Sequence, residues 1–526
     1  MIELRIDGHV LTVVPGTTLL EAARSLNIEL PTLCHRRDLP PNTSCMICAV
    51  HEMKTDRLLP ACSALAEQHM VIETANDKVQ KFRRTTLELL FSEHVGECIA
   101  PCQMACPADL QIPLMMQEIA ANDFAAAIRT IKMDIALPGT LGYVCTAPCE
   151  NACCRKKIDN SAAICLLKRA VALEDLQTSI HYAPAVSPPS GYKVVVVGGG
   201  PTGLAAAYYL RLFGHACSLL EADEHLGGHL REYIELGSLP AEVLNQEIEM
   251  IIGLGIEIRV NTVIDSPAAI TELLRQFDAV VLAIGQDPPC APADLGFEVT
   301  VSGIPVDPIS LVTVNPGVYA GGGCIRRRKL AVQSVADGKR LAHSIHQGLS
   351  GPIGRPDPPS TLSKLGKLNL DELQEFLLDT QLPPETTPKT ATHLTRDDAI
   401  ARAQSCLQCG CRAADSCKLR LYADQYQADI RRYPRDGNQK FRRITDHPYV
   451  IYEPGKCIKC GLCVAITRDG GEDLGLTFVG RGFDIRVEVP LNEILERGLR
   501  QTARQCVDCC PSGALSFKPN WNAESS

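Results

Sequence analysis

Twenty-five cysteines in 526 residues, most of them in short-spaced groups, are the side chains best placed to do chemistry here. The first group, Cys34, Cys45, Cys48 and Cys62, is spaced Cys-x10-Cys-x2-Cys-x13-Cys. Four thiolates with one close pair can give two sulfurs to each iron of a 2Fe-2S cluster, or hold one structural zinc ion. The second group runs His94-x3-Cys98-x3-Cys102-x3-Cys106-Pro107 and is followed by Cys145-x3-Cys149-x3-Cys153, with Cys154 adjacent and Cys165 beyond. A third, Cys406-x2-Cys409-x-Cys411-x5-Cys417, puts four cysteines in twelve residues. That is too dense for an apolar core and suits a 4Fe-4S cluster or zinc. The last, Cys457-x2-Cys460-x2-Cys463, is closed by Cys506, Cys509 and Cys510-Pro511. The start, MIELRIDG, reads as strand and turn with no secretory leader, so the thiols point to metal sites in a cytoplasmic chain and not to disulfides.

A second chemistry lies between these groups, in KVVVVGGGPTGLAAAYYLRLFGHACSLLEADEHLGG, Lys193 to Gly228. Val194–Val197 is an unbroken apolar run, as expected of a parallel strand buried on both faces. Gly198, Gly200 and Gly203 then form GxGxxG ahead of an alanine-rich helix over Leu204–Leu212. A second strand, Ala216–Leu220, ends at Glu221, 18 residues after Gly203. The first glycine suits a tight turn, the second a close approach to a pyrophosphate and the third helix-on-strand packing. The helix N-terminus faces the phosphates and the acid takes ribose hydroxyls.

The elements that must position these groups follow the hydrophobic pattern. Residues 2–14 read as a hairpin turning at Gly8, and Thr17 or Thr18 caps a short helix through Leu26. Asn76 to His94 reads as an amphipathic helix, and 112–133 as a helical stretch. A proline-rich linker, APAVSPPS, precedes the glycine loop. Helix and strand follow over Leu239–Val260, then the strand DAVVLAIG ending at Gly285, VYAGGGC around Gly322, and a helix over Ala331–Ile345. This yields a multidomain α+β and α/β chain: 1–76, 77–182, 191–350, a linker over 351–400 with one helix at Leu370–Leu378, a cysteine-rich segment 401–444, and 445–520. No apolar stretch suits a membrane span. A net charge of −9 argues against nucleic acid as partner. The basic run Arg431, Arg432, Arg435, Lys440, Arg442 and Arg443 reads as a solvated surface or a docking face for an acidic partner.

On these residues the chain resembles known families. Residues 1 to about 76 resemble the N-terminal ferredoxin domain of the large iron–sulfur subunit of respiratory NADH dehydrogenase and of related hydrogenases and formate dehydrogenases, which implies a β-grasp domain holding 2Fe-2S. Cys98 to Cys153, including GYVCTAPCENAC, resembles the helical domain of the glutamate synthase small subunit and dihydropyrimidine dehydrogenase, where two 4Fe-4S clusters share interleaved ligands. That resemblance implies Cys98, Cys102 and Cys153, with His94, at one cluster, and Cys106, Cys145 and Cys149 at the other with a fourth ligand unassigned. Cys154 and Cys165 read as buried thiols. Gly227-Gly228 after Glu221 resembles flavin disulfide-reductase-like folds and favours FAD over NAD, with Gly198, Gly200, Gly203, Glu221, Gly228, Gly285 and Gly322 at the cofactor. The family places an acid after the last glycine pair, where this chain has Gly323, and inserts a nicotinamide-binding domain where Gly285 and Gly321 are only 36 residues apart. A nucleotide-binding domain needs at least about 50 residues. The C-terminal cysteines resemble a bacterial ferredoxin motif, in which the cysteine before proline serves the cluster of the other motif. That implies one 4Fe-4S cluster on Cys457, Cys460, Cys463 and Cys510, with Thr467 standing where a two-cluster protein carries cysteine.

The implied cofactors are FAD, one 2Fe-2S cluster and three or four 4Fe-4S clusters. The implied role is an electron-transfer subunit of a hetero-oligomeric oxidoreductase, between an NAD(P)H-oxidising flavin subunit and a terminal reductase, hydrogenase or formate dehydrogenase. The alternatives are a self-contained NAD(P)H-dependent FAD enzyme like the glutamate synthase small subunit, and a zinc-rich scaffold with a vestigial flavin fold. No catalytic triad or HExxH occurs.

Overall fold

The computed structural model describes residues 1–327, 330–351, 362–366, 368–380, 394–433 and 440–518. Parts of the 351–400 linker, Arg435 and the last residues of 445–520 lie outside the described residues. The chain forms two compact units of non-consecutive segments: Met1–Ile99 with Asp357–Asp379 and Cys409–Ser526, and Ala100–Pro356 with Thr380–Gln408.

The first unit opens with the expected hairpin, strands Ile2–Ile6 and His9–Val13, turned by Asp7 and Gly8, both at positive φ. It joins a mixed sheet in the order His9–Val13, Ile2–Ile6, Val71–Glu73, Ala49–Glu52, Arg57–Pro60. Helix Leu19–Ser25 packs its buried leucines and alanines here, its start closed by a Thr18–Glu21 capping box. Asn76 caps the long helix Asp77–Ser92. Further along, Val450–Tyr452 pairs with Leu515–Phe517, and Thr477–Val479 with Arg486–Glu488. The helix expected at Leu370–Leu378 forms as an α-helix, Leu370–Glu375, continued by a 3-10 helix over Phe376–Asp379. Phe376 is fully buried and stacks on Phe441 at 4.3 Å, and the Arg443 guanidinium covers its ring at 4.4 Å. Arg443 is therefore no part of a solvated face: it is buried and pairs with the equally buried Glu453 at 3.3 Å.

The second unit begins with a helical array. The stretch expected over 112–133 is two helices, Ile112–Ala120 and Phe124–Asp134, broken where Asn122 takes positive φ and Asp123 caps the second. Helices Pro138–Val144 and Ile164–Gln177 pack closely enough that a Cβ on Gly142 would lie 2.5 Å from the Arg169 Cβ. A buried Lys132–Asp175 pair at 2.6 Å ties Phe124–Asp134 to Ile164–Gln177. A five-stranded parallel sheet follows, in the order Val318–Ala320, Ala279–Leu282, Lys193–Val197, Ala216–Leu220, Glu257–Arg259. Helix Ala331–Ser350 lies so close to helix Pro201–Leu212 that Gly338 has no room for a side chain, its Cβ falling 2.3 Å from the Thr202 carbonyl oxygen. No helix among the described residues is long and apolar enough to cross a membrane.

Candidate metal centres and nucleotide site

Cys34, Cys45, Cys48 and Cys62 come together, all buried, on the loops beside strand Ala49–Glu52. Their sulfurs are linked by hydrogen bonds in which Cys45 and Cys62 donate to Cys34 and Cys62 also to Cys48. The thiol partners Cys45 and Cys62 draw Cys34 down to about 2, and Cys62 holds Cys48 at about 7. The same bonds raise the donors Cys45 and Cys62, so it is the convergence of four buried sulfurs that suits a cluster.

In the same unit Cys457, Cys460, Cys463 and Cys510 share one environment. The Cys510 sulfur accepts from the Leu515 amide at 3.5 Å, and that of Cys457 from the Lys459 amide at 3.4 Å. Cys506, fully buried, borders Cys463, while Cys509 has Cys510 and Arg36 as charged neighbours. Asn42 from the N-terminal loops donates to the Cys460 carbonyl at 2.9 Å. Cys34, Cys45, Cys417 and Cys460 all belong to one buried apolar cluster with Leu33, Ile47, Phe91 and Leu462.

The remaining cysteine groups are shared between the two units. Cys98 stands with Cys411 and Cys417 in the first unit. The Cys411 amide donates to the Cys98 carbonyl at 3.4 Å, and the Ser363 amide to the Cys98 sulfur at 3.3 Å. His94, buried against Phe91, belongs to this unit too, and Lys456 packs with it over Gly96. Cys409 lies in the same unit.

Cys102 instead stands with Cys406, Cys153 and Cys149 in the second unit. Burial, and next the Cys406 thiol, push Cys102 up. Arg155, fully buried two residues after Cys153, donates to the Ser405 carbonyl and holds the approach to Cys406. Gln408 donates to the Pro113 carbonyl at 3.0 Å. Within each unit these sets draw on segments about 300 residues apart, Cys98 with Cys411 and Cys417 in one, and Cys102 with Cys153 and Cys406 in the other. Nothing in local spacing announces this.

Cys106, Cys145 and Cys149 gather as expected, but with Cys165, which local reading left as a buried thiol. The Cys165 sulfur brings Cys145 down to about 7. Among the described residues no three His, Cys, Asp or Glu side chains converge on a point as a single ion requires.

At the glycine loop, Gly198 takes φ +104, and a Cβ on it would fall 2.4 Å from the Ala283 carbonyl oxygen. A Cβ on Gly203 would fall 1.8 Å from the Gly198 carbonyl oxygen. A Cβ on Gly200 would meet nothing nearer than the Gly228 Cα at 4.0 Å. Helix Pro201–Leu212 starts there with no side-chain cap, so its N-terminal amides are available to an anion. Buried Glu221 accepts from the Gly199 amide at 2.6 Å and the Asp223 amide at 3.0 Å. Gly285 and Gly322 both take positive φ at the ends of neighbouring strands. The pyrophosphate cradle therefore fits a dinucleotide. Where the family carries an acid the fit is different: a Cβ on Gly323 would lie 2.7 Å from Gln286 Cγ and 2.9 Å from the Gln286 amide. Between Leu282 and Val318 no helix or strand forms among the described residues, only single bridges.

Thiol sets in both units and a glycine-loop parallel sheet define an iron–sulfur oxidoreductase chain of flavoprotein type. It carries three recognised domains: a 2Fe-2S iron-sulfur cluster binding domain at residues 1–77, a 4Fe-4S domain of the dihydropyrimidine dehydrogenase domain II kind at 92–180, and a pyridine nucleotide-disulphide oxidoreductase domain at 162–338. It is 32% identical over 266 residues to the NADPH-Fe(3+) oxidoreductase subunit beta of Geobacter sulfurreducens, covering 50% of this chain and 38% of that one. It is 35% identical over 207 residues to the NADP(+)-dependent formate dehydrogenase subunit beta of Moorella thermoacetica, 35% of this chain and 29% of that one. It is 30% identical over 203 residues to the NAD-dependent dihydropyrimidine dehydrogenase subunit PreT of Salmonella typhimurium, 38% of this chain and 49% of that one. The chain thus spans less than half the length of these curated relatives.

Proposed function

We propose that this chain is the electron-transfer iron–sulfur and FAD subunit of a multi-subunit oxidoreductase, between an NAD(P)H-oxidising flavin subunit and a terminal reductase, hydrogenase or formate dehydrogenase. The observation that carries the reading is the gathering of thiols from distant segments into separate sets within each unit, together with a dinucleotide cradle in the second. Bound clusters would supply one-electron transfer and a flavin the exchange between one- and two-electron steps.

Cys34, Cys45, Cys48 and Cys62 would hold 2Fe-2S, and Cys457, Cys460, Cys463 and Cys510 a 4Fe-4S cluster. Cys98, Cys411 and Cys417 would hold a second, completed by His94 or Cys409. Cys102, Cys153 and Cys406 would hold a third, and Cys106, Cys145 and Cys149 a fourth. The buried Arg155 and the Ser363 amide position ligands, and the apolar packing around Cys34, Cys417 and Cys460 excludes water. Gly200 and the uncapped helix start would receive the FAD pyrophosphate, and Glu221 would order the loop and meet the ribose.

The short stretch between Leu282 and Val318 favours a partner as the source of reducing equivalents over direct hydride uptake from NAD(P)H. The test is the anaerobically purified chain followed by its visible spectrum. It is expected to keep its colour with NADH or NADPH alone and to bleach once an NADH-oxidising flavoprotein is added. Direct, fast bleaching by NADPH would contradict the relay and favour a self-contained reductase.

A further inference from the structure

The geometry points to Cys165 as the fourth ligand of the cluster on Cys106, Cys145 and Cys149, with Lys168 built in beside it as a buried counter-charge. This rests on the iron–sulfur reading above. Cys165 is the second residue of helix Ile164–Gln177. Its amide donates to Glu150 Oε1 at 2.9 Å, next to Cys149, and its sulfur borders the Leu141 carbonyl at 3.6 Å, in the helix leading to Cys145. The same helix is therefore tied to both sides of the Cys145–Cys149 loop. The missing side chain at Gly142 is what lets these helices approach, because a Cβ there would overlap the Arg169 backbone and Cβ. The Cys145 and Cys165 sulfurs end within hydrogen-bonding distance.

Lys168 follows Cys165 by one helical turn and is 4% exposed. Among the described residues no carboxylate pairs with it. Its surroundings are the Cys165, Cys145, Cys106 and Cys149 sulfurs. An unpaired buried ammonium is costly, and a four-thiolate 4Fe-4S centre is an anion that answers it. Reduction adds one more negative charge, so the nearby ammonium favours the reduced form and raises the midpoint potential.

The full chain is purified anaerobically as wild type, Cys165→Ser, Lys168→Met and, as a control off this set, Cys154→Ser. Iron and sulfide are assayed and the reduced centres followed by EPR in a redox titration. Cys165→Ser is expected to lose one cluster's iron and one 4Fe-4S signal. Lys168→Met is expected to keep its iron and shift the midpoint of that same signal to more negative potential, the other centres standing still. Full iron and unaltered signals in Cys165→Ser overturn the ligand, and an unshifted titration of Lys168→Met overturns the counter-charge. If Cys165→Ser does not fold, alkylation of the wild type decides. Cys165 is expected to be protected when iron-loaded and labelled after chelation, and equal labelling in both overturns the ligand. A wild type without iron would instead overturn the iron–sulfur reading itself.

Discussion

Gly200 and Gly203, three residues apart, should fail in opposite ways when given a methyl group. At Gly203 the added carbon would lie 1.8 Å from the Gly198 carbonyl oxygen and 3.2 Å from Val196 Cγ1. Neither atom is at the far end of a flexible side chain, so helix Pro201–Leu212 must lift from strand Lys193–Val197 or the loop must reshape. Overpacking of this kind costs about 1–3 kcal/mol, roughly 2–12 °C in Tm for a domain of this size. At Gly200 the backbone, φ −73 and ψ −176, is one any residue adopts, and the nearest atom to the new carbon is 4.0 Å away. Without cofactor Gly200→Ala should be neutral or stabilising by about 0.4–1 kcal/mol, because alanine restricts the unfolded chain. With cofactor the methyl would compete for the space proposed for the pyrophosphate, and flavin affinity should fall at least tenfold, about 1.4 kcal/mol. The assay pairs thermal unfolding of flavin-stripped protein with flavin retained after gel filtration. Gly203→Ala should lose both stability and flavin, and Gly200→Ala flavin alone. A Gly200→Ala chain that keeps full flavin would refute the cradle.

Three further outcomes follow from the geometry. Cys406→Ser and Cys102→Ser should abolish the same EPR signal, and Cys411→Ser and Cys98→Ser a different one; loss of one common signal in Cys406→Ser and Cys411→Ser would restore the local grouping. Gly323→Asp, although it recreates the family's acid, should lower stability and not improve flavin retention, because Gln286 leaves no room; tighter flavin binding at unchanged Tm would contradict this. His215 is fully buried, bonded to Ser190 at 2.7 Å and His346 at 2.9 Å; burial and then His346 depress it to about 4, with Asp278 opposing. The folded state thus resists the proton, and this contribution is present above about pH 6.5 and lost as pH falls towards 4. The stability gap between wild type and His215→Asn should shrink by about 1 kcal/mol from pH 7 to pH 5.5 in urea unfolding; a constant gap would contradict it.

The sequence was most legible where chemistry demands local spacing. The Cys34 and Cys457 groups and the Gly198 to Glu221 loop stand out as candidates because turns and loop glycines must sit at fixed offsets. Thr18, Asn76 and Asp123 mark helix starts for the same local reason. What escaped was long-range. Cys406 stands near Cys102 with Arg155 bonded to the adjacent Ser405 carbonyl, and Cys411 meets Cys98 by a backbone bond across about 300 residues. Arg443 sat in a basic run that looked solvated, yet Phe376, Phe441 and Glu453 enclose it. Lys168 carried one available signal, a lysine on the apolar face of a helix one turn after a cysteine.

The most direct test of the account is the composition of the anaerobically purified chain: iron, acid-labile sulfide, zinc and FAD per polypeptide. The account predicts a brown protein with iron and sulfide for one 2Fe-2S and several 4Fe-4S clusters, one FAD and negligible zinc. A colourless protein holding zinc and no flavin would contradict it.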